Sequence, residues 1–403
     1  MIAGALLVIS AACVGPQPPA PLVRVEPGIE GLLRDSIHLV RGRTVGLVSN
    51  QGGVDATGIS DVERLLDTGI RLVALMSPEH GFRGSAAGGQ VVASTRDSAT
   101  GLPIYSLYGA QRGATDSMLA GMEVILVDLP DVGARYYTYL STTIEVMRSA
   151  ARLGRTVIIL DRPNPIGGAV QGNVLDPAHR SFVGPLAMPM RHGMTLGELA
   201  HLANRELSLE ADLRVVPAAG WSRRLTLAAT GLPFIPPSPN LRDLESLFHY
   251  PGLCLFEGTA LSVGRGTSAP FRQVGAPWLD VARVLALLDA ARLPGVRFEE
   301  VTFTPIGPDD GKFPGVPLRG IRLGLTDASR YDPTITAVTL LAAVARVHPD
   351  SIGFRASGFD RLAGGPALRE AILASREPFA IGRDWVAARE TWKRYRKPVL
   401  LYR

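Results

Sequence analysis

The segment Ser77-Pro78-Glu79-His80-Gly81-Phe82-Arg83-Gly84 gathers a carboxyl group, an imidazole and a guanidinium into one short loop. Other runs are equally dense in functional groups: Asn50-Gln51-Gly52-Gly53, Asp128-Leu129-Pro130-Asp131-Val132-Gly133-Ala134-Arg135-Tyr136-Tyr137, and Asp161-Arg162-Pro163-Asn164-Pro165. A carboxylic acid among amides and arginines suits cleavage of a glycosidic bond. That reaction needs a proton donor for the leaving oxygen and usually a second carboxylate. Glu79 is the candidate donor. Pro78 and Phe82 beside it would exclude water, and Arg83 serves best by reaching a substrate anion. His80 can orient Glu79 or share its proton, and can equally be a histidine tied to backbone. Asp128, Asp131 and Glu257 are the candidates for the second carboxylate, each with a structural ion pair or turn hydrogen bond as an equal alternative.

Each group needs an element to position it. Thr44–Ser49, Arg71–Met76, Val124–Asp128 and Thr156–Asp161 are short β-rich runs. Between them lie helical patterns, one capped by Ser60 and one from about Thr142 to Leu153. Thr195 and Glu198 form a capping box that opens a third helix. This rhythm predicts an α/β fold with a Rossmann-like parallel sheet and helices on both faces. Ligands bind beyond the carboxyl ends of such strands. Those ends carry Asn50 and Gln51, then Glu79, His80 and Arg83, then Asp128, Asp131, Arg135 and Tyr136, then Asn164. One shared rim is the expected arrangement.

The remainder is less regular. Leu253–Phe256 and the runs at 297–304 and 320–325 read as strands. Leu279–Ala291, Thr334–Val347 and Trp385–Tyr395 read as helices. The predicted organisation is a leader and tether over 1–25, the catalytic α/β unit over 26–240, and a smaller α/β (α+β) unit over 241–403 that closes the cleft. Arg265 in Gly264-Arg265-Gly266-Thr267 is a candidate for holding an anion.

Several classes are excluded. Apolar residues are 46% and charged residues 20% of the 403, which is a globular balance. The net charge of +5 is scattered arginine, because Lys312, Lys393 and Lys397 are the only lysines. No nucleic-acid-binding signature accompanies it. The first strand is not followed by Gly-x-Gly-x-x-Gly, so no nucleotide cofactor is expected. A Gly-x-Ser-x-Gly elbow and a zinc-type Cys/His spacing are also absent. A metal site built from His80, Asp128 and Asp131 has no recognised ligand spacing.

The apolar run Ile2–Ala12 is of signal-peptide length. It ends in Ser10-Ala11-Ala12-Cys13 and a proline-rich tether, which resembles a lipoprotein signal with Cys13 as the lipidated residue. The expected location is outside the cytoplasm, periplasmic or membrane-anchored, with contact to the membrane only through the lipid. The composition leaves the oligomeric state open.

Many ordered motifs then resemble one family. They are Ser49-Asn50-Gln51, Ser77–Gly84, Tyr105-Ser106-Leu107-Tyr108-Gly109, Asp131–Tyr139, Leu160–Pro165, His192–Thr195, Pro237–Asn240 and Phe256–Thr259. Together they look like the exo-β-N-acetylmuramidases, long catalogued as a domain of unknown function. Gly53 departs from that pattern, where a Thr-like residue is expected. The resemblance implies a two-domain protein with the site in the cleft, a key glutamate at Glu79, and no metal or nucleotide. It implies release of N-acetylmuramic acid from peptidoglycan-derived muropeptides or disaccharides. Arg83, Arg135, Arg265 and Arg272 are then candidates for the lactyl carboxylate of that sugar, and Tyr108, Tyr136 and Tyr137 for stacking on it. The competing expectation is an exported sugar-binding lipoprotein without catalysis.

Overall fold

The computed structural model describes residues 24–109 and 112–403. Cys13 and the leader lie outside the described residues. The strands are β1 (Thr44–Ser49), β2 (Arg71–Ser77), β3 (Thr95–Arg96), β4 (Pro103–Ser106), β5 (Val124–Asp128), β6 (Thr156–Leu160), β7 (Gln171–Val174), β8 (Pro189–Arg191), β9 (Asp212–Val216), β10 (Gln273–Ala276), β11 (Val296–Phe303) and β12 (Leu318–Leu325).

One sheet runs in the order β3-β4-β2-β1-β5-β6-β9. All its pairings are parallel except β3 with β4 at the edge, so the sheet is mixed where a parallel one was expected. Numbered along the chain, the parallel strands lie in the order 3-2-1-4-5-6, with the reversal between β1 and β5. β5 and β6 are buried at every position, which explains their unbroken Val/Ile/Leu runs. Alternation within them still sorts side chains to opposite faces. Leu126, Ile158 and Leu160 pack with Ile29 and Leu32 on one face. Ile125, Val127, Val157 and Ile159 join a larger core on the other, which continues into Phe256, Ile321 and Leu340.

Helices Asp61–Asp67, Tyr139–Arg152 and Leu196–Glu206 connect the parallel strands. Ser60 accepts from the Glu63 amide, and Thr195 and Glu198 form their reciprocal capping box, both as the sequence predicts. Helix Gly28–Asp35 begins so close to β6 that a Cβ on Gly28 would sit 2.5 Å from the Asp161 nitrogen. At Gly53 a Cβ would lie 2.0 Å from the Ser49 hydroxyl oxygen and 2.7 Å from Asp61 Oδ2. Glycine at this position therefore fits the local packing.

The C-terminal part holds a small antiparallel sheet, β10-β12-β11, with helices Val281–Ala291 and Pro333–Val347 beside it. Leu253–Phe256 corrects an expectation. It is not a strand but the end of helix Leu244–Leu253 and the start of a 3-10 turn over Cys254–Gly258. A short run buried on all sides carries no periodicity to tell the two apart. Helices Ala356–Ala363, Ala367–Leu373 and Pro378–Asp384 were also not foreseen. Among the described residues, no helix is long and apolar enough to cross a membrane.

Candidate active site

β2 ends at Ser77, and the chain turns sharply just beyond it. The Gly81 amide donates to the Pro78 carbonyl at 3.1 Å. His80 and Gly81 both adopt left-handed backbone, with φ of 73° and 77°. For histidine this conformation costs on the order of 1 kcal/mol, a strain that the surrounding structure must hold in place. The turn carries Glu79 into a cleft of about 580 Å³.

Both Glu79 oxygens are held. Oε1 accepts from the Gly89 amide at 2.8 Å, and Oε2 accepts from the Thr138 hydroxyl at 2.7 Å. Thr138 is the N-cap residue of helix Tyr139–Arg152, yet its side chain makes no capping bond. The hydroxyl that would normally satisfy a helix amide is turned to the carboxyl instead. Tyr108 faces the same group. Its phenol is pushed up to about 12, first by burial and then by the Glu79 charge. His80 Nδ1 lies 2.8 Å from the Ala86 carbonyl oxygen, which can only accept. Nδ1 is therefore a donor, and Nε2 is the ring nitrogen left for a proton to be taken up or given.

An aromatic floor lies beneath. Tyr137 and Tyr250 meet edge-on with centroids 6.3 Å apart, and Tyr250 meets Phe271 at 4.9 Å. The Tyr136 hydroxyl donates to the Pro251 carbonyl and that of Tyr137 to the Pro237 carbonyl. Arg265 Nε bonds Glu257 at 2.9 Å, and Nη1 bonds both Asp309 oxygens at 2.9 Å. Asp309 Oδ2 also accepts from Asn240 and from the Gly88 amide. Glu79 and Asp309 thus hang from consecutive amides, those of Gly89 and Gly88.

Of the sequence candidates, the structure brings Glu79, His80, Tyr108, Tyr136, Tyr137, Glu257 and Arg265 to this cleft. The rest lie elsewhere. Asp128 is fully buried and paired with Arg162, beside Asp61. Burial first, and then the Asp128 charge, push the Asp61 carboxyl well above the usual range. Asp131 Oδ1 accepts from the Gly133 amide at 2.6 Å, with His192 Nε2 at 3.4 Å. Arg135 has no exposed surface and donates to the carbonyls of Asn173, Met188 and Leu362 at 2.9 Å each. It straps the β7–β8 ribbon to helix Ala356–Ala363. Asn164 donates to the Met194 carbonyl and accepts from the Ile166 amide.

Asn50 and Gln51 act at one remove. Asn50 donates to the Tyr139 hydroxyl, which donates to the Pro237 carbonyl, and Gln51 donates to the Pro236 carbonyl. Both hold the proline-rich wall rather than facing the cleft. Arg83 is paired with Asp97 in a separate depression, and Phe82 lines that same depression rather than covering Glu79. Arg272 is paired with Asp243 and Glu245. Among the described residues, no group of three or more His, Cys, Asp or Glu side chains is placed to hold a metal.

Sequence reasoning missed Thr138, Gly89, Asp309, Arg112 and Phe182. Thr138 had a signal, as a threonine immediately before a helix. Asp309 sits in Pro308-Asp309-Asp310-Gly311, which reads only as a turn.

Residues 45–245 match the family described as exo-β-N-acetylmuramidase NamZ, N-terminal, and residues 248–402 match its C-terminal counterpart. The peptidoglycan β-N-acetylmuramidase NamZ of Bacillus subtilis (strain 168) is 37% identical over 405 aligned positions, covering 100% of this chain and 97% of that protein. A crystal structure of a DUF1343-family protein from Bacteroides fragilis superposes with a TM-score of 0.87 at 33% identity, covering 95% of this chain and 100% of that one. A second protein of that family from the same organism gives a TM-score of 0.77 at 32% identity, covering 94% of this chain and 99% of its own. The chain belongs to the NamZ exo-β-N-acetylmuramidase family.

Proposed function

We propose that this protein releases N-acetylmuramic acid from the non-reducing end of peptidoglycan fragments, with Glu79 as the proton donor. The observation that carries the reading is the Glu79 carboxyl, buried at the cleft base between the Thr138 hydroxyl and the Gly89 amide. A hydroxyl can donate to a carboxylate and accept from a carboxylic acid. Thr138 can therefore serve Glu79 before and after it gives its proton to the leaving oxygen. The bond from the anomeric carbon to that oxygen breaks, and water supplies the new hydroxyl. Two cleft groups can take the water's proton, His80 through Nε2 and Glu257. Of the acids the sequence suggested as partners, Glu257 alone lines the cleft with Glu79.

The tyrosine floor suits a sugar ring, whose C–H face stacks on aromatic side chains. We read the N-terminal sheet as Rossmann-like on the strength of its parallel strand order. The exo mode and the muramic acid specificity rest on the family and on the B. subtilis relative. The run up to Cys13 supports export with a lipid anchor, which would put the enzyme where cell-wall fragments are found.

The test is product analysis with purified protein and a disaccharide carrying N-acetylmuramic acid at its non-reducing end. Free N-acetylmuramic acid is the expected product, and longer glycans should shorten only from that end. Tight binding without turnover would make the protein a sugar-binding module. Internal cleavage would overturn the exo mode.

A further inference from the structure

If the proposed substrate is right, it carries a negative charge that the site as described so far does not meet. N-acetylmuramic acid bears a lactyl carboxylate on a ring carbon close to the scissile bond. The arginines singled out from the sequence cannot meet it. Arg83 and Arg272 are paired outside the cleft, Arg135 is fully buried, and Arg265 is held by Glu257 and Asp309.

Resting on the function proposed above, we infer that Arg112 is the specificity residue that binds the lactyl carboxylate. Its guanidinium carbon stands 4.6 Å from the Phe182 ring centroid and 5.9 Å from that of Tyr108. An aromatic ring attracts a guanidinium through its cationic charge and takes none of the N–H donors that a bidentate carboxylate needs. Arg112 lines the same cleft as Glu79, and Asp116, the next acid along the chain, is paired with Arg152 instead. Tyr108, one of the rings beneath it, also faces Glu79. Arg112 and the acid therefore share one wall, as the short span from scissile bond to lactyl group requires.

Two other cleft arginines belong to the segment that packs on the Glu257 turn. Arg355 donates to the Glu257 carbonyl, and Arg361 belongs to helix Ala356–Ala363, packed against the turn that carries Glu257. The rings also fix the arginine before substrate arrives. Less side-chain freedom is then lost on binding.

The test compares a chromogenic muramic acid glycoside with the same glycoside bearing a lactyl carboxamide. The wild type should prefer the carboxylate by about 10- to 100-fold in kcat/KM, the range of a charge-assisted pair. Arg112→Gln should lose most of that preference through a raised KM, keep its activity on the carboxamide, and melt at the wild-type temperature. An unchanged preference in Arg112→Gln overturns the inference, as does loss of preference in Arg361→Gln or Arg355→Gln instead. A wild type that cleaves neither glycoside would count against the proposed function and is thereby told apart from a failure of Arg112 alone.

Discussion

The loop after β2 and the loop after β5 carry nearly the same chemistry in their sequences, acids and an arginine with glycines between them. In the first, Glu79 opens into the cleft with Thr138 and Gly89 at its oxygens. In the second, Asp128 is paired with Arg162, Asp131 bonds the Gly133 amide, and Arg135 is spent on backbone carbonyls. What separates the loops is where their polar groups find partners. The β5 loop satisfies its charges inside the protein and becomes scaffold. The β2 loop leaves groups facing open space and accepts backbone strain at His80 to do so.

The sharpest way to break this contrast is to remove the β5 acid. Asp128→Asn should lower unfolding free energy by about 3 kcal/mol, the low end for a broken buried ion pair. Asp61 lies near Arg162 and can ionise in place of Asp128. Adding Asp61→Asn removes that substitute and should bring the loss toward about 5 kcal/mol. Denaturant titration measures both. Turnover per folded molecule should stay within a few-fold of wild type. A stable but inactive Asp128→Asn would return the β5 loop to the active site.

Asp161, at the end of β6, extends the comparison to a third acid. Burial raises its carboxyl to about 6, against the pull of Thr195, Tyr402 and the Gly197 amide. The folded chain therefore holds a proton that the unfolded chain releases from its ordinary value of 3.8. This contribution to stability is fully present below that value and lost as pH rises to about 6. Denaturant midpoints across that window should show a difference in slope between wild type and Asp161→Asn, with the variant lacking this fall. Parallel curves would mean that Asp161 is ionised throughout.

The smallest effect tests the support of Glu79. Thr138→Val keeps the shape but removes the hydrogen bond. Turnover should fall about tenfold and the pH–rate profile should move, with the melting temperature nearly unchanged. A wild-type profile would show that Thr138 only packs there.

These outcomes bear on what the sequence made legible. The strand and helix rhythm was readable because β1, β5 and β6 are continuous apolar runs separated by capped helices. Glu79, Glu257 and Arg265 were readable as chemistry-bearing residues in glycine-bounded turns. The inward turn of Asp128 and Arg135 was not, because their partners, Arg162 and the Asn173, Met188 and Leu362 carbonyls, are distant in sequence. The roles of Asn240 and Asp309 were hidden for the same reason. Asp309 meets Gly88 and Asn240 only once segments far apart in the chain pack together.

The most direct measurement is turnover per folded molecule on a muramic acid glycoside, with Glu79→Gln and Asp128→Asn assayed side by side. The expected result is a loss of about 10²- to 10⁴-fold for Glu79→Gln at an unchanged melting temperature, the range for removal of a general acid. Asp128→Asn should remain close to wild type once corrected for unfolded protein. Near wild-type turnover in Glu79→Gln, or equal losses in the two variants, would contradict the assignment of chemistry to the β2 loop and scaffold to the β5 loop.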